Sequence, residues 1–191
     1  MKAVLVEVAD SLRAWGYRGS GQNYRMLLED IIFVINFQKS RTGDHFFLNL
    51  GAQPTTIPGA AETDPNLKTQ KEYECVFRFR LPGDWSTTLS HPEIESLTAA
   101  LDGARKTFES RVSAMRTLSR GGQGTDLFEQ WAYLGTAARA PLVLARLLAA
   151  DGHHGEARVL AERAIATAGG ASLLRAAAQR LLDNLPGPGT G

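Results

Sequence analysis

Two apolar runs on either side of a polar turn, within residues 31–51, constrain the fold of this chain more than any other stretch. Every second residue of each run is large and apolar, which is typical of strands that bury one face. The turn between them, Lys39–Asp44, contains the Ser, Thr, Gly and Asp that reverse a chain at low cost. The apolar positions are Ile31, Phe33, Ile35 and Phe37 in the first run, and Phe46, Leu48 and Leu50 in the second.

Segments around this hairpin predict an α+β fold. Alternation predicts further strands over residues 22–29 and 72–81, and short connections favour antiparallel pairing. The result is a four-stranded antiparallel sheet with helices on one face. In the last strand one face is expected to be apolar, and it consists of Tyr73, Cys75, Phe77, Phe79 and Leu81. Residues 52–70 contain three prolines and are expected to form an exposed excursion.

Helical spacing of apolar residues predicts a helix over residues 2–15 and a second one from His91 to Leu118. Within the second helix, Asp102–Gly103 is a candidate break or bend, because glycine is a poor helix former. The glycines at positions 121, 122 and 124 are expected to form a flexible joint. We therefore predict an α+β domain over residues 1–120.

Beyond the joint, the pattern predicts a C-terminal helical region over residues 125–185 and a disordered tail over 186–191. Thr125 or Asp126 can cap its first helix, which carries Leu127, Phe128, Trp131 and Leu134. Pro141 suits the first turn of the next helix, and Ser172 can cap the last one. Residues 144–168 resemble one helical hairpin of the tetratricopeptide type.

Composition excludes several classes of function. The 191 residues carry a formal net charge of +1, which argues against a nucleic-acid partner. The single cysteine, Cys75, rules out an internal disulfide framework and a four-cysteine zinc site, and it fits the reducing cytoplasm. No apolar run approaches the length of a membrane span, and the N-terminus lacks the pattern of a signal peptide. Neither a cofactor motif nor metal-ligand spacing is present, so no cofactor and no metal are expected.

The best candidate for a functional site is the polar face of the predicted sheet, opposite the apolar one. Amide and guanidinium groups there are suited to an anionic ligand, since the arginines outnumber the carboxylates. Antiparallel sheets also commonly leave one polar face in water, so a purely structural role is the other interpretation. The turn at Gln38–Ser40 can likewise hold its own hairpin by side-chain to backbone bonds. The candidate ligand-binding residues are Arg25, Asn36, Gln38, His45, Asn49, Glu74, Arg78 and Arg80.

An acid–base pair of His45 with Glu74 or Asp44 is the basis of an alternative, a small enzyme acting on an anionic substrate at the same face. Asp44 precedes His45 directly, and sequential strand residues point to opposite faces, which weakens that pair. No nucleophile motif accompanies it. Cys75 lies on the apolar side of its predicted strand and is expected to act as a small hydrophobic residue.

A series of motifs follows the polar face in order: Asn36, Gln38-Lys39-Ser40, Phe46 or Phe47, Asn49, Gly51, Glu74-Cys75 and Arg78-Phe79-Arg80-Leu81. Their order and spacing resemble an uncharacterised bacterial family, domain of unknown function 4304, over roughly residues 5–120. Val76 departs from the pattern, because members often carry His there. The resemblance implies a fold and no chemistry. Together, the resemblance and the polar face predict a binding or interaction module. By analogy with other small bacterial domains, it would be an accessory or immunity-type protein. Its partner would be a protein or a small anionic ligand.

The predicted apolar face gives a first test. Ile35→Asp or Phe77→Asp should unfold the domain, because each places a charge in the core and forfeits about 1.5–3 kcal/mol of apolar burial. Thermal melting followed by circular dichroism checks the result. A soluble variant that melts cooperatively would contradict this assignment of the face.

Overall fold

The structure of the protein is a computed structural model that describes residues 1–123 and 139–187. Residues 1–110 and residues 111–191 form two units. The helix predicted to begin at Thr125 or Asp126, including Trp131, lies outside the described residues, as do positions 188–191 of the predicted tail. The domain boundary predicted at the glycine joint stays a prediction.

An antiparallel sheet dominates the first unit. Its strands are β1 (Arg18–Ser20), β2 (Asn23–Leu28), β3 (Ile31–Lys39), β4 (His45–Pro54), β5 (Phe77–Arg80) and β6 (Trp85–Ser86). They pair in the order β1-β2-β3-β4-β5, and β6 pairs with the beginning of β4. The antiparallel sheet is confirmed, but the predicted strand number is wrong: the described residues form six strands and not four. The short outer strands β1 and β6 were missed.

One face of the sheet forms the main core, as the alternation predicts. Phe33, Ile35, Phe46 and their neighbours on this core face are fully buried. Helix α1 (Lys2–Ala14) is followed by the sheet, and helix α2 (His91–Arg120) comes after it. Phe108 of α2 contacts Phe33 and Phe79 with ring centroids 6.4 Å apart in each pair, so α2 packs on the core face. Helix α2 continues through Asp102–Gly103, where a break was a candidate.

The strand predicted over residues 72–81 is shorter than expected. Glu72–Glu74 form a turn of 3₁₀ helix, and β5 begins only at Phe77. Tyr73 is 63% exposed and does not join the core. Cys75 is buried as expected, but on the opposite face, where it packs with Ile32 and Val34.

Residues 55–76, the covering segment, bring Cys75 to that face. The Gln53 amide fastens both ends of the segment: Nε2 donates to the Ile57 carbonyl at 2.9 Å, and Oε1 accepts from the Val76 N–H at 3.1 Å. Ile57, Gln70 and Glu72 are buried. The exposed excursion predicted for residues 52–70 is therefore wrong in part, because several of its residues pack against the sheet.

The helices of the first unit meet through a polar cluster. The Arg105 guanidinium lies 4.4 Å from the centroid of the Trp15 ring and is paired with Asp102 and Glu109. Tyr17 donates to Glu109 at 2.7 Å, and burial is the main reason that the pKa of Tyr17 is raised well above its usual value. These contacts fix the end of α1 beside α2.

The described residues of the second unit form helices and short connections. The C-terminal part of α2 is followed in the described residues by α3 (Ala140–Ala150), α4 (His154–Thr167) and α5 (Ser172–Asn184). Pro141 stands in the first turn of α3, as predicted. Ser172 begins α5 but makes no capping hydrogen bond, so its predicted role is wrong. Helices α3 and α4 form a hairpin, and α5 packs through Ala177 and Ala178 against Leu142 and Ala164.

The covering segment generates a second test. A Cβ at Gly51 would lie 2.9 Å from Cys75 Sγ and 3.1 Å from Glu72 Cα, so Gly51→Ala should lower the free energy of unfolding by about 1–3 kcal/mol. Gly103→Ala is the control, because nothing lies within 4 Å of its Cβ and alanine favours the helix. Urea unfolding measures both. Equal stability of Gly51→Ala and the parent chain would contradict the close packing.

Candidate functional site

The covering segment divides the polar face into two ends. Pairing places Arg25, Val34, Gly51 and Arg78 in one row across the strands, under the covering segment. The next row consists of Asn23, Asn36, Asn49 and Arg80. We call the first the covered end and the second, together with Gln38, Phe47 and His45, the open end.

Two of the predicted ligand-binding arginines hold the covering segment. Arg78 Nε donates to Glu72 Oε1 at 2.7 Å, and the Glu72 side chain is only 8% exposed. Arg25 Nε donates to the Gln70 carbonyl at 2.6 Å, and partial burial lowers the pKa of Arg25. Both guanidinium groups therefore have structural partners at the covered end.

Glu74 lies in the 3₁₀ turn and not on the sheet. Its Oε2 accepts from the Lys71 N–H at 2.8 Å. Cys75 Sγ lies 3.3 Å from the Lys71 carbonyl, and burial raises the pKa of the thiol. A buried thiol with a raised pKa is a poor nucleophile, which agrees with the hydrophobic role expected for Cys75.

The open end carries a connected cluster of amides and one guanidinium group, which we call the amide–arginine cluster. Asn49, which is 2% exposed, lies at its centre. Its Nδ2 donates to Asn36 Oδ1 at 3.2 Å and to Gln38 Oε1 at 3.0 Å. Its Oδ1 accepts from Arg80 Nε at 2.8 Å. The three amides and Arg80 were all predicted as candidates, and the strand register brings them together.

Arg80 is held from three directions. Besides its bond to Asn49, its Nη2 donates to Gln38 Oε1 at 2.8 Å. Its guanidinium carbon lies 4.9 Å from the centroid of the Phe47 ring, a cation–π distance. No carboxylate of the described residues lies within ion-pair distance of Arg80. A guanidinium has five N–H donors, so further donors of Arg80 are available to a ligand.

His45 lies at the end of the same face, opposite Ser86 of β6. Its Nε2 is 3.7 Å from Asp44 Oδ2, and its Nδ1 has no partner in the part of the chain that the structure describes. The expectation that Asp44 and His45 point to opposite faces of a strand is therefore wrong, because Asp44 belongs to the turn and not to the strand. The Thr42 hydroxyl is the main reason that the pKa of the exposed Asp44 carboxyl is lowered. Glu74 makes no such approach to His45.

The hairpin turn is held by Ser40, as the structural interpretation of Gln38–Ser40 predicts. Its Oγ accepts from the Gly43 N–H at 3.0 Å and from the His45 N–H at 3.3 Å. Gln38 belongs instead to the amide–arginine cluster. The alternation missed two partners, Asn23 and Glu72. Asn23 shares the face of Arg25, and Glu72 shares the face of Glu74 and Arg78 in the strand predicted over residues 72–81. Both residues could therefore have been found.

The described residues contain no group of three or more His, Cys, Asp or Glu side chains that could hold a metal ion. Among the described helices, none combines the length and apolar character needed to cross a membrane.

Comparison with protein families matches residues 8–98 to the family described as Domain of unknown function (DUF4304). Neither a curated protein nor a solved structure shows significant similarity to the chain.

The cluster generates a third test. Asn49→Ala removes the partner of Arg80 Nε and of Asn36 Oδ1 and one of the two donors to Gln38 Oε1. It should therefore cost about 1–3 kcal/mol of folding free energy. In a double-mutant cycle with Arg80→Ala, we expect a coupling energy of about 0.5–3 kcal/mol. Arg13→Ala serves as the control partner, because Arg13 pairs with Asp10 and shares no contact with Asn49. Additive losses in the Asn49–Arg80 cycle would contradict a connected cluster.

Proposed function

This chain belongs, over residues 8–98, to the DUF4304 family, and we propose that its domain is a binding module that holds an anionic group at Arg80. The observation that carries the proposal is the difference between the arginines of the polar face. Arg78 is paired with Glu72, and Arg25 donates to a backbone carbonyl. Arg80 is fixed by uncharged amides and has no carboxylate partner in the described ranges.

The arrangement around Arg80 reduces the cost of binding. A free arginine side chain loses rotamer entropy when it captures a ligand. The bonds to Asn49 and Gln38 already restrict the Arg80 guanidinium, and the Phe47 ring lies against it. The remaining N–H donors are thus oriented before the ligand arrives.

The chemistry of the group selects the ligand class. A guanidinium binds carboxylate or phosphate oxygens through two parallel hydrogen bonds. A single arginine is too little for a nucleic-acid backbone, and the formal net charge of +1 supplies no wider positive field. The proposed ligand is therefore a compact anion or an anionic side chain of a protein partner.

A binding module accounts for the cluster better than a catalytic one. The Glu74 carboxylate that would complete a pair with His45 caps a 3₁₀ turn at the covered end. Asp44 approaches His45, but the Asp44 side chain is 62% exposed and the His45 side chain 44% exposed. The small-enzyme alternative stays a prediction that rests on these two residues alone.

Arg80→Met tests the proposal, because it keeps an apolar stem of similar length against Phe47 and removes the charge. In the parent protein, titration with acetate or inorganic phosphate should shift the Nε–Hε NMR signal of Arg80. Since hydrogen bonds to charged groups contribute about 1.5–3 kcal/mol, Arg80→Met should weaken anion binding about tenfold or more.

Arg41→Met is the matched control. Arg41 lies exposed in the turn after β3 and carries the same charge, so its loss changes the general field without touching the cluster. Anion binding should survive this substitution. Equal weakening by both substitutions, or no shift of the Arg80 signal in the parent protein, would overturn the proposal.

A further inference from the structure

We propose that the outer edge of β5 receives an extended acidic segment of a protein partner as an additional strand, with a carboxylate of that segment on Arg80. This inference rests on the proposed function, because it uses the same guanidinium. It adds the kind of partner and the backbone groups that recognise it. Strand addition at a sheet edge is an established mode of peptide recognition.

The hydrogen-bond pattern of β5 identifies the free groups. The Leu81 N–H donates to the Leu48 carbonyl at 2.9 Å, so Leu81 and Leu48 form a hydrogen-bonded pair. Because such pairs alternate in an antiparallel ladder, Phe79 and Phe77 also bond to β4. The N–H and C=O groups of Arg78 and Arg80 then point away from β4. Beyond β5 the sheet has no further strand within the described residues.

The side chains of β5 specify the pattern of the incoming segment. Side chains of neighbouring strands that share a face lie about 4.5–5.5 Å apart at Cβ, so a residue beside Arg80 lies on the polar face. A Glu or Asp there balances the charge of Arg80. The adjacent position lies beside Phe79, which is only half-buried, whereas Phe77 is fully buried. An apolar residue beside Phe79 would extend the core face, so we infer an alternating acidic and apolar segment.

The opposite edge of the sheet lacks these features. Strand β1 has three residues, and its central residue, Gly19, offers no side chain. The Arg18 guanidinium donates to the carbonyls of Arg13 and Tyr17, each at 3.1 Å. The β1 edge therefore provides no apolar neighbour for a new strand, and its charged side chain, Arg18, is bonded to carbonyls of residues close to β1.

Because β5 is short, binding of a segment at its edge should depend mainly on the charge of Arg80. Two outward-facing residues give at most four backbone hydrogen bonds, and short edge strands are one way in which proteins limit pairing with other chains. A neutral strand would gain little there. A carboxylate on Arg80 adds a charge-assisted contact, so the edge should discriminate acidic segments from neutral ones.

The experiment uses the full chain labelled with ¹⁵N and an acetylated Thr-Val-Glu-Val-Thr amide as the probe. The peptide should shift the Arg80 Nε–Hε signal and slow hydrogen exchange at the backbone amides of Arg78 and Arg80. At a peptide concentration ten times Kd, exchange at these amides should slow about tenfold. A peptide with Gln in place of Glu should bind at least several-fold more weakly.

A peptide of the same sequence, methylated on alternate backbone nitrogens, separates the two proposals. It keeps the carboxylate but cannot pair as a strand, so it should shift the Arg80 side-chain signal without protecting the two amides. If the unmethylated peptide also shifts only the side chain, strand addition is wrong and anion binding at Arg80 stands. If neither acetate nor the peptide shifts Arg80, both proposals fail.

Discussion

The close approach of Cys75 to Gly51 is the contact on which the arrangement of the polar face depends. Only a residue without Cβ leaves space there for the Cys75 thiol and the Glu72 backbone. The covering segment can therefore bury Ile32 and Val34, which would otherwise be apolar residues on a solvated face. The covering segment does not extend over the row of Asn36 and Asn49 at the open end. The same contact thus sets the extent of both the second core and the open end.

The partners of the arginines differ between the covered end and the open end. At the covered end, each arginine meets an acceptor from the covering segment, since removing a guanidinium from water without a partner is costly. At the open end, Arg80 stays exposed and needs no counter-ion for stability. Its neighbours are amides, which orient it without neutralising it. Three arginines on one face therefore have different kinds of partner, which composition cannot distinguish.

Period-two alternation predicted much of this structure because the core face of β3 and β4 has an apolar residue at every second position. The register followed from the short hairpin, and it was sufficient to bring Asn36, Gln38 and Asn49 next to Arg80. Alternation failed over residues 72–76, where Tyr73 and Cys75 continue the pattern of β5 although the chain has left the sheet. Burial of Cys75 on the other face depends on a glycine far away in sequence. The two-residue strand β6 is too short to carry a periodic signal.

A solvated polar face explains exposed arginines in many antiparallel sheets, but it does not explain Asn49. An arginine that only faces water needs no fixed neighbour. Asn49 is nevertheless buried, and its amide donors and acceptor are all bonded to side chains of the same face. Burying an amide costs free energy unless its bonds are well made, and those bonds restrict the neighbouring side chains. In this domain the restricted neighbour is the exposed guanidinium of Arg80, which has no carboxylate partner among the described residues. A guanidinium group that is oriented by its neighbours but not neutralised by them has the properties expected of an anion-binding group.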